Sequence, residues 1–146
     1  RACASAEVLL NGHSLHLAWN LLLLHVFGGL VCNALGAPRQ LALFFVFALA
    51  GAAAHVSLGG GQAAGASGAV CGFVGLVVAG RLPAAVALLD GSMRVPVNWL
   101  ALALIVKDVG FAFLPGMAVS VGGHLGGYAA GALAGWVLRA RGALPP

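Results

Sequence analysis

The sequence predicts an all-α protein, a polytopic bundle of transmembrane helices. Its 146 residues are 62% hydrophobic and only 7% charged, and the mean hydropathy is +1.05. A soluble domain carries about 25% charged residues, and a chain this apolar could not cover a soluble core with polar surface. The composition therefore excludes a soluble globular enzyme, and equally a disordered chain.

Stretches without any charged residue predict the individual helices. Such stretches cover residues 8–38, 40–80 and 109–138, and about 20 apolar residues are enough to cross the hydrocarbon core. Helices are expected because lipid offers no partners for open backbone groups, and the alternation typical of a barrel is missing from the sequence. The predicted spans are 13–32, 41–57, 67–80, 95–113 and 117–138.

The boundaries between these spans follow from local sequence. The glycine-dense stretch 59–65 divides the run 40–80 into two helices. Arg81 and Pro83 end the third helix, since proline cannot continue a helix. The apolar run 84–89 that follows is expected to lie at the membrane interface.

The basic residues predict the topology. Alternating spans place five arginines on one side, which the positive-inside rule assigns to the cytoplasm; they are Arg39, Arg81, Arg94, Arg139 and Arg141. Residues 1–12 then form the remnant of an extracytoplasmic loop, 13–139 the transmembrane domain, and 140–146 a cytoplasmic tail. A chain that enters from the outside without a signal peptide is expected to lack an upstream helix. The basic residues are scattered singly, so no nucleic-acid partner is predicted.

Ser67 is the first candidate for chemistry. It opens the third helix, between Gly65 and Gly68, and Gly72 lies one turn further on. A serine at this position can be an ordinary N-cap, but an N-cap needs no glycines around it, whereas close helix packing does. The free N–H groups of a helix N-terminus are also suited to an oxyanion.

His124 is the second candidate and opens the last helix. Gly127, Gly131 and Gly135 follow it at intervals of four residues, which gives one smooth stripe on the same helix face. The glycine face of the Ser67 helix is the expected partner of this stripe. Such packing would bring His124 close to Ser67 at equal depth, as a serine nucleophile with a histidine base requires.

No acidic residue is expected to complete a triad. Glu7 is upstream, Asp90 is predicted to be cytoplasmic, and Lys107 is expected to neutralise Asp108 at least in part. The prediction is therefore a dyad, with the histidine oriented by packing or by some other hydrogen bond.

His16 and Asn20 are four residues apart near the outer end of the first helix. They could donate to an oxyanion hole together with the Ser67 N–H. Metal binding is the competing interpretation, because His13 shares the face of His16. Zinc requires three or four ligands and no carboxylate or cysteine joins these residues, so neither a metal nor another cofactor is predicted. Cys32 and Cys71 are predicted at different depths, which disfavours a disulfide.

Three motifs together resemble the rhomboid family of intramembrane serine proteases. They are His16–Asn20, Gly65-Ala66-Ser67-Gly68, and His124-Leu125-Gly126-Gly127 followed by Gly131. The resemblance runs from about Leu10 to Gly135 and implies a six-helix core, of which this chain would hold five spans. It also implies Ser67 as nucleophile, His124 as general base, and His16 and Asn20 as oxyanion-hole donors.

Two departures from the family pattern stand out. Many relatives carry an aromatic residue that stacks on the histidine where this chain has Cys71, and an acidic residue where it has Cys32. The histidine must therefore be held differently here. The resulting hypothesis is a bacterial protease of the cell (inner) membrane, multi-pass, that works in the lipid bilayer, cleaves single-span membrane proteins and needs no cofactor. Its oligomeric state is left open.

Alternative hypotheses remain at this point. A catalytically silent rhomboid-like scaffold or chaperone would bind substrate helices without cutting them. Rhombosortases, a compact subfamily that trims C-terminal anchor segments, share the motifs. A small transporter or channel would need polar residues at several depths along a pore, whereas the candidates here cluster at one end of the helices.

Overall fold

A computed structural model describes residues 14–59, 66–88, 93–111 and 120–145, and these ranges contain five helices and one β-hairpin. The elements are α1 (Ser14–Leu35), α2 (Ala37–Ser57), α3 (Ser67–Gly80), β1 (Ala85–Leu88), β2 (Met93–Pro96), α4 (Val97–Phe111) and α5 (Val121–Ala140). The all-α bundle predicted from the sequence is therefore present. Its helix bounds differ from the predicted ones by at most four residues, the usual uncertainty at helix ends.

The turn between α1 and α2 is made at Gly36. Gly36 has a φ of 85° there, and its N–H donates to the Cys32 carbonyl oxygen at 2.7 Å. Only glycine adopts this conformation without strain. Pro38 then lies in the first turn of α2, where its missing N–H costs nothing.

The hairpin was not predicted. Strands β1 and β2 pair antiparallel, with Val86 opposite Val95 and Ala85 opposite Pro96, in the region where an interfacial apolar run was expected. The sequence holds a signal for it, because Asp90-Gly91 separates two short apolar runs and such dipeptides are typical of hairpin turns.

Helix α3 forms the centre of the bundle. Its residues from Ala69 to Val77 are all buried, and Phe73 packs edge-on against Phe47 of α2 with ring centroids 5.5 Å apart. The other helices turn long apolar side chains outward, as shown by Leu15, Leu49 and Val56, each at least 70% exposed. An apolar outer surface of this kind suits contact with lipid acyl chains.

Two of the helices, α1 and α2, are each long and apolar enough to cross a membrane, and α3 is a shorter apolar helix. This matches the length expected for a hydrocarbon core. The short α3 is enclosed by its neighbours, so its length is not set by lipid.

Glycines bring α3 and α5 into backbone contact. A methyl group on Gly127 would overlap the Gly68 carbonyl oxygen, and one on Gly131 would overlap the carbonyl oxygen of Gly72. At the far end of the pair, a methyl group on Gly135 would lie 2.5 Å from the Leu76 carbonyl oxygen. Small residues permit such an approach between membrane helices. The N-terminal ends of α3 and α5 consequently meet at one end of the bundle.

Candidate active site

Ser67 is the first residue of α3, and Ala66 occupies the N-cap position before it. Its half-buried hydroxyl makes no hydrogen bond within the described ranges, so the serine does not cap its helix. The backbone N–H groups of Ser67 and Gly68 lie in the first turn, where an α-helix supplies no intrahelical acceptor. The hydroxyl and these N–H donors are thus presented together at the start of α3.

His124 lies in the first turn of α5. Its backbone N–H donates to the Ser120 carbonyl oxygen at 2.9 Å. Its side chain is only 13% exposed, and ring atom Nδ1 lies 3.0 Å from Oδ2 of Asp108. The imidazole is therefore held between α5 and the last turn of α4.

Asp108 corrects the expectation that no acidic residue is well placed. The residue is buried, and its Oδ2 also accepts a hydrogen bond of 2.7 Å from the Tyr128 hydroxyl. Lys107 does pair with the carboxylate, but at the other oxygen, Oδ1, at 2.5 Å. The expectation was wrong because neutralisation by Lys107 leaves Oδ2 available to the histidine.

Cys71 connects this cluster to α3. Its thiol points at Asp108 Oδ2 across 3.9 Å, and one donor atom from each of Cys71, Asp108 and His124 lies within 4.8 Å of the others. Cys71 follows Ser67 by four residues and so shares its helix face. The His124 ring therefore lies beside the face of α3 that carries Ser67. No hydrogen bond joins Ser67 to His124 in the part of the chain that the structure describes.

Among the described residues, a group that could hold a metal ion is formed by Cys71, Asp108 and His124. A thiolate, a carboxylate and an imidazole are ordinary zinc ligands. The carboxylate already contacts Lys107 and Tyr128, so a metal ion would have to displace at least one of these partners. The prediction that no metal is needed stays a prediction.

His16 and Asn20 interact with each other on α1. The Asn20 amide Nδ2 donates to the His16 carbonyl oxygen at 2.8 Å and lies 3.1 Å from ring atom Nε2. Asn20 is buried and His16 is exposed. Neither side chain hydrogen-bonds Ser67 among the described residues, so their role in an oxyanion hole stays a prediction.

A second serine–histidine pair lies at the same end of the bundle. Ser120 Oγ and His55 Nδ1, from the end of α2, are 2.7 Å apart. Ser120 is the N-cap of α5, and its Oγ accepts the Gly123 N–H at 3.3 Å. From the sequence, His55 is expected to be structural or interfacial, and its contact with Ser120 was not predicted.

Of the glycines selected from the sequence, Gly68, Gly127 and Gly131 lie in the α3–α5 contact. Gly72 contributes its carbonyl oxygen to that contact, while a methyl group in place of its hydrogen would meet the Phe47 side chain of α2. Gly65 lies outside the described residues.

The sequence holds signals for two further residues of the site, Tyr128 and Asp108, although Asp108 was set aside there because of Lys107. Tyr128 follows His124 by four residues and therefore shares its helix face. Asp108 lies beside the charge-free run 109–138, and an acidic residue in a membrane segment is a functional candidate by default.

A family model described as "Rhomboid domain" matches residues 4–141. The match covers all five helices and confirms the resemblance carried by the three motifs. No curated protein and no solved structure matches the chain.

Proposed function

The chain belongs to the rhomboid family, and from that premise we propose that it is an intramembrane serine endopeptidase. Ser67 is the nucleophile and His124 the general base. The protein is a multi-pass protein of the bacterial cell (inner) membrane, and its extracytoplasmic side is the end where α3 and α5 begin. This assignment agrees with the basic residues that were predicted on the opposite side.

The single observation that carries the proposal is the contact between the first turns of α3 and α5. A methyl group on Gly68 would lie 3.3 Å from the Gly123 carbonyl oxygen, so the residues next to these glycines, Ser67 and His124, flank a backbone contact. The His124 ring lies near Cys71, one turn along α3 from Ser67. In the proposed mechanism, His124 Nε2 contacts Ser67 Oγ after changes of side-chain rotamer.

The reaction proceeds by acyl transfer. Ser67 Oγ bonds to the carbonyl carbon of the scissile peptide and passes its proton to Nε2 of His124. The carbonyl oxygen becomes an oxyanion, stabilised by the free N–H groups of the first turn of α3. His124 then protonates the leaving amine as the C–N bond breaks. A water molecule then attacks the acyl carbon and gives a proton to His124. The ester C–O bond breaks, His124 returns the proton to Ser67 Oγ, and the carboxylic acid product leaves.

His16 and Asn20 complete the oxyanion hole in this proposal. The Asn20 amide donates to the His16 backbone and lies beside the His16 ring, so the pair is preformed on α1. A small rotation of either side chain frees an N–H for the developing charge.

The substrates are single-span membrane proteins that are cut in or near the transmembrane helix. The scissile bond must leave its helix to reach Ser67, so segments with weak helix formers are preferred. Filling that segment of a substrate with leucine should therefore lower the cleavage rate. A substrate cut equally fast after the change would contradict this requirement for unwinding.

The test of the active site uses a fluorophosphonate probe, which labels activated serines. The purified protein in detergent is compared with two matched pairs of variants, Ser67→Ala with His124→Ala, and Ser120→Ala with His55→Ala. We expect labelling to be lost in the first pair and retained in the second. The second pair is the control, because it changes the same residue types at the same end of the bundle.

Loss of labelling in Ser120→Ala but not in Ser67→Ala would overturn the assignment of the nucleophile. A folded wild type that does not label would favour the alternative of a catalytically silent scaffold. The observation on the side of that alternative is that Ser67 makes no hydrogen bond to His124 among the described residues. Substrate binding that persists in Ser67→Ala, without cleavage by the wild type, would establish it.

A further inference from the structure

Asp108 is the buried carboxylate that the reaction above does not use. It is 7% exposed, and four side chains from three helices face it: Lys107 of its own helix α4, His124 and Tyr128 of α5, and Cys71 of α3. Burying a carboxylate is costly unless its oxygens find partners. A carboxylate kept at this position beside a candidate general base therefore calls for an explanation.

We propose that Asp108 is a positioning residue that orients His124, so that the site works as a serine–histidine–aspartate arrangement. The inference rests on the proposed function. Nδ1 of His124 lies 3.0 Å from Asp108 Oδ2 and has no aligned hydrogen-bond partner among the described residues. The carboxylate is the acceptor within its reach, and a small rotation of the ring aligns the N–H with it.

In this proposal, the contact with Asp108 selects the tautomer of the His124 ring. A proton held on Nδ1 by Asp108 leaves Nε2 with its lone pair, and Nε2 is the atom that must accept the Ser67 proton. The carboxylate also stabilises the imidazolium that forms when this proton arrives. Asp108 itself does not take up the proton.

The oxygen that faces His124 is in turn held by a second partner. The Tyr128 hydroxyl donates to the same oxygen, Oδ2, at 2.7 Å, and Tyr128 lies one helical turn after His124. The histidine and its orienting acid are thus tied to one helix face. Lys107 pairs with the other oxygen, Oδ1, and its side chain is 38% exposed.

The competing interpretation is a structural one, in which Asp108 serves only as the ion-pair partner of Lys107. The two roles predict different responses. A structural loss reduces the amount of folded enzyme, whereas loss of orientation reduces turnover by each folded molecule. Lys107 pairs with Oδ1, whereas His124 faces Oδ2, so removing Lys107 provides the matched control: it breaks the ion pair and keeps the oxygen that would accept from Nδ1.

The experiment measures kcat and KM for a single-span substrate in detergent, together with the thermal midpoint of unfolding. Concentrations of active enzyme are obtained from the fluorophosphonate labelling endpoint. The variants are Asp108→Asn, Asp108→Glu, Tyr128→Phe and Lys107→Gln. Asparagine keeps the size of the side chain, but its amide can donate to Nδ1, which would select the tautomer with the proton on Nε2.

We expect Asp108→Asn to lower kcat by about 10³-fold with little change in KM. Tyr128→Phe should lower kcat by about tenfold, since a bond to a charged group is lost. Lys107→Gln should change kcat by less than about threefold. Asp108→Glu, which restores the charge, should turn over faster than Asp108→Asn.

A wild-type kcat in Asp108→Asn would overturn the inference, and so would equal losses in Lys107→Gln and Asp108→Asn. Should Asp108→Asn fail to fold, the ratio between Tyr128→Phe and Lys107→Gln decides the question in the same way. Failure of the proposed function is distinguishable, because the wild type would then neither label nor cleave.

Discussion

Ser67 and Ser120 occupy comparable places in the bundle, each at the start of a glycine-rich helix and at the same end of the molecule. Ser120 is hydrogen-bonded to a histidine, His55, at 2.7 Å. Ser67 has no such bond among the described residues. A search for serine–histidine hydrogen bonds alone would select the wrong pair on our assignment.

What separates the two serines is the use of their hydroxyl groups. Ser120 Oγ accepts the Gly123 N–H and closes the N-terminus of α5, so its hydroxyl already has a structural role. Ser67 follows the N-cap Ala66, which offers no side-chain cap. Because Ser67 does not cap α3, its hydroxyl and the N–H groups of the first turn can contact a ligand.

The two histidines differ in the same sense. His124 has a buried carboxylate behind it, at 3.0 Å, whereas His55 contacts the N-cap of α5. Activation of a serine depends on the base and on the group that orients the base. The buried carboxylate behind His124 therefore supports its role as the base.

We expect the largest effect on the site from a substitution that disturbs the contact between α3 and α5. In Gly131→Ala, the new methyl group would overlap the Gly72 carbonyl oxygen, so the helices must separate, at a cost of about 3 kcal/mol. Ser67 and His124 are on different sides of this contact and should lose their alignment. We expect weaker fluorophosphonate labelling and a lower midpoint of unfolding.

The matched control for that substitution is Gly110→Ala. Gly110 is also helical, but no atom of the described residues lies within 4 Å of a methyl group placed there. Labelling should stay at the wild-type level, and helix propensity favours alanine. Equal losses of labelling in the two variants would show that any substitution of glycine is harmful, and would contradict a specific role for the α3–α5 contact.

Some of these features could be predicted from the sequence and others could not. The five helices and the glycine faces of α3 and α5 were accessible because composition and spacing carry them. The contact of Asp108 with His124 was missed because Lys107, the neighbour of Asp108 in sequence, was expected to neutralise the carboxylate. A carboxylate has two oxygens, and only the packing of α4 against α5 decides which partner each oxygen meets.

The hairpin and the Ser120–His55 pair were missed for a related reason. Residues 85–88 and 93–96 are too short to give a periodic signal, and their pairing depends on register. His55 and Ser120 are 65 residues apart in the chain. No local pattern reports such a contact, whereas the Ser67 and His124 motifs each carry their own run of glycines.

The smallest expected effect concerns stability and tests the assignment of structural and chemical roles directly. Ser120→Ala removes the N-cap of α5 and should lower the free energy of unfolding by about 1 kcal/mol. Ser67→Ala removes a hydroxyl that bonds to nothing in the described ranges, and it should change stability by less than about 0.5 kcal/mol. Denaturant titration of the two purified variants in detergent measures both quantities. If Ser67→Ala were the more destabilising variant, Ser67 would be the structural serine, because its hydroxyl would then be held by bonds that stabilise the fold. The predicted order instead assigns the stability to Ser120 and leaves Ser67 free for catalysis.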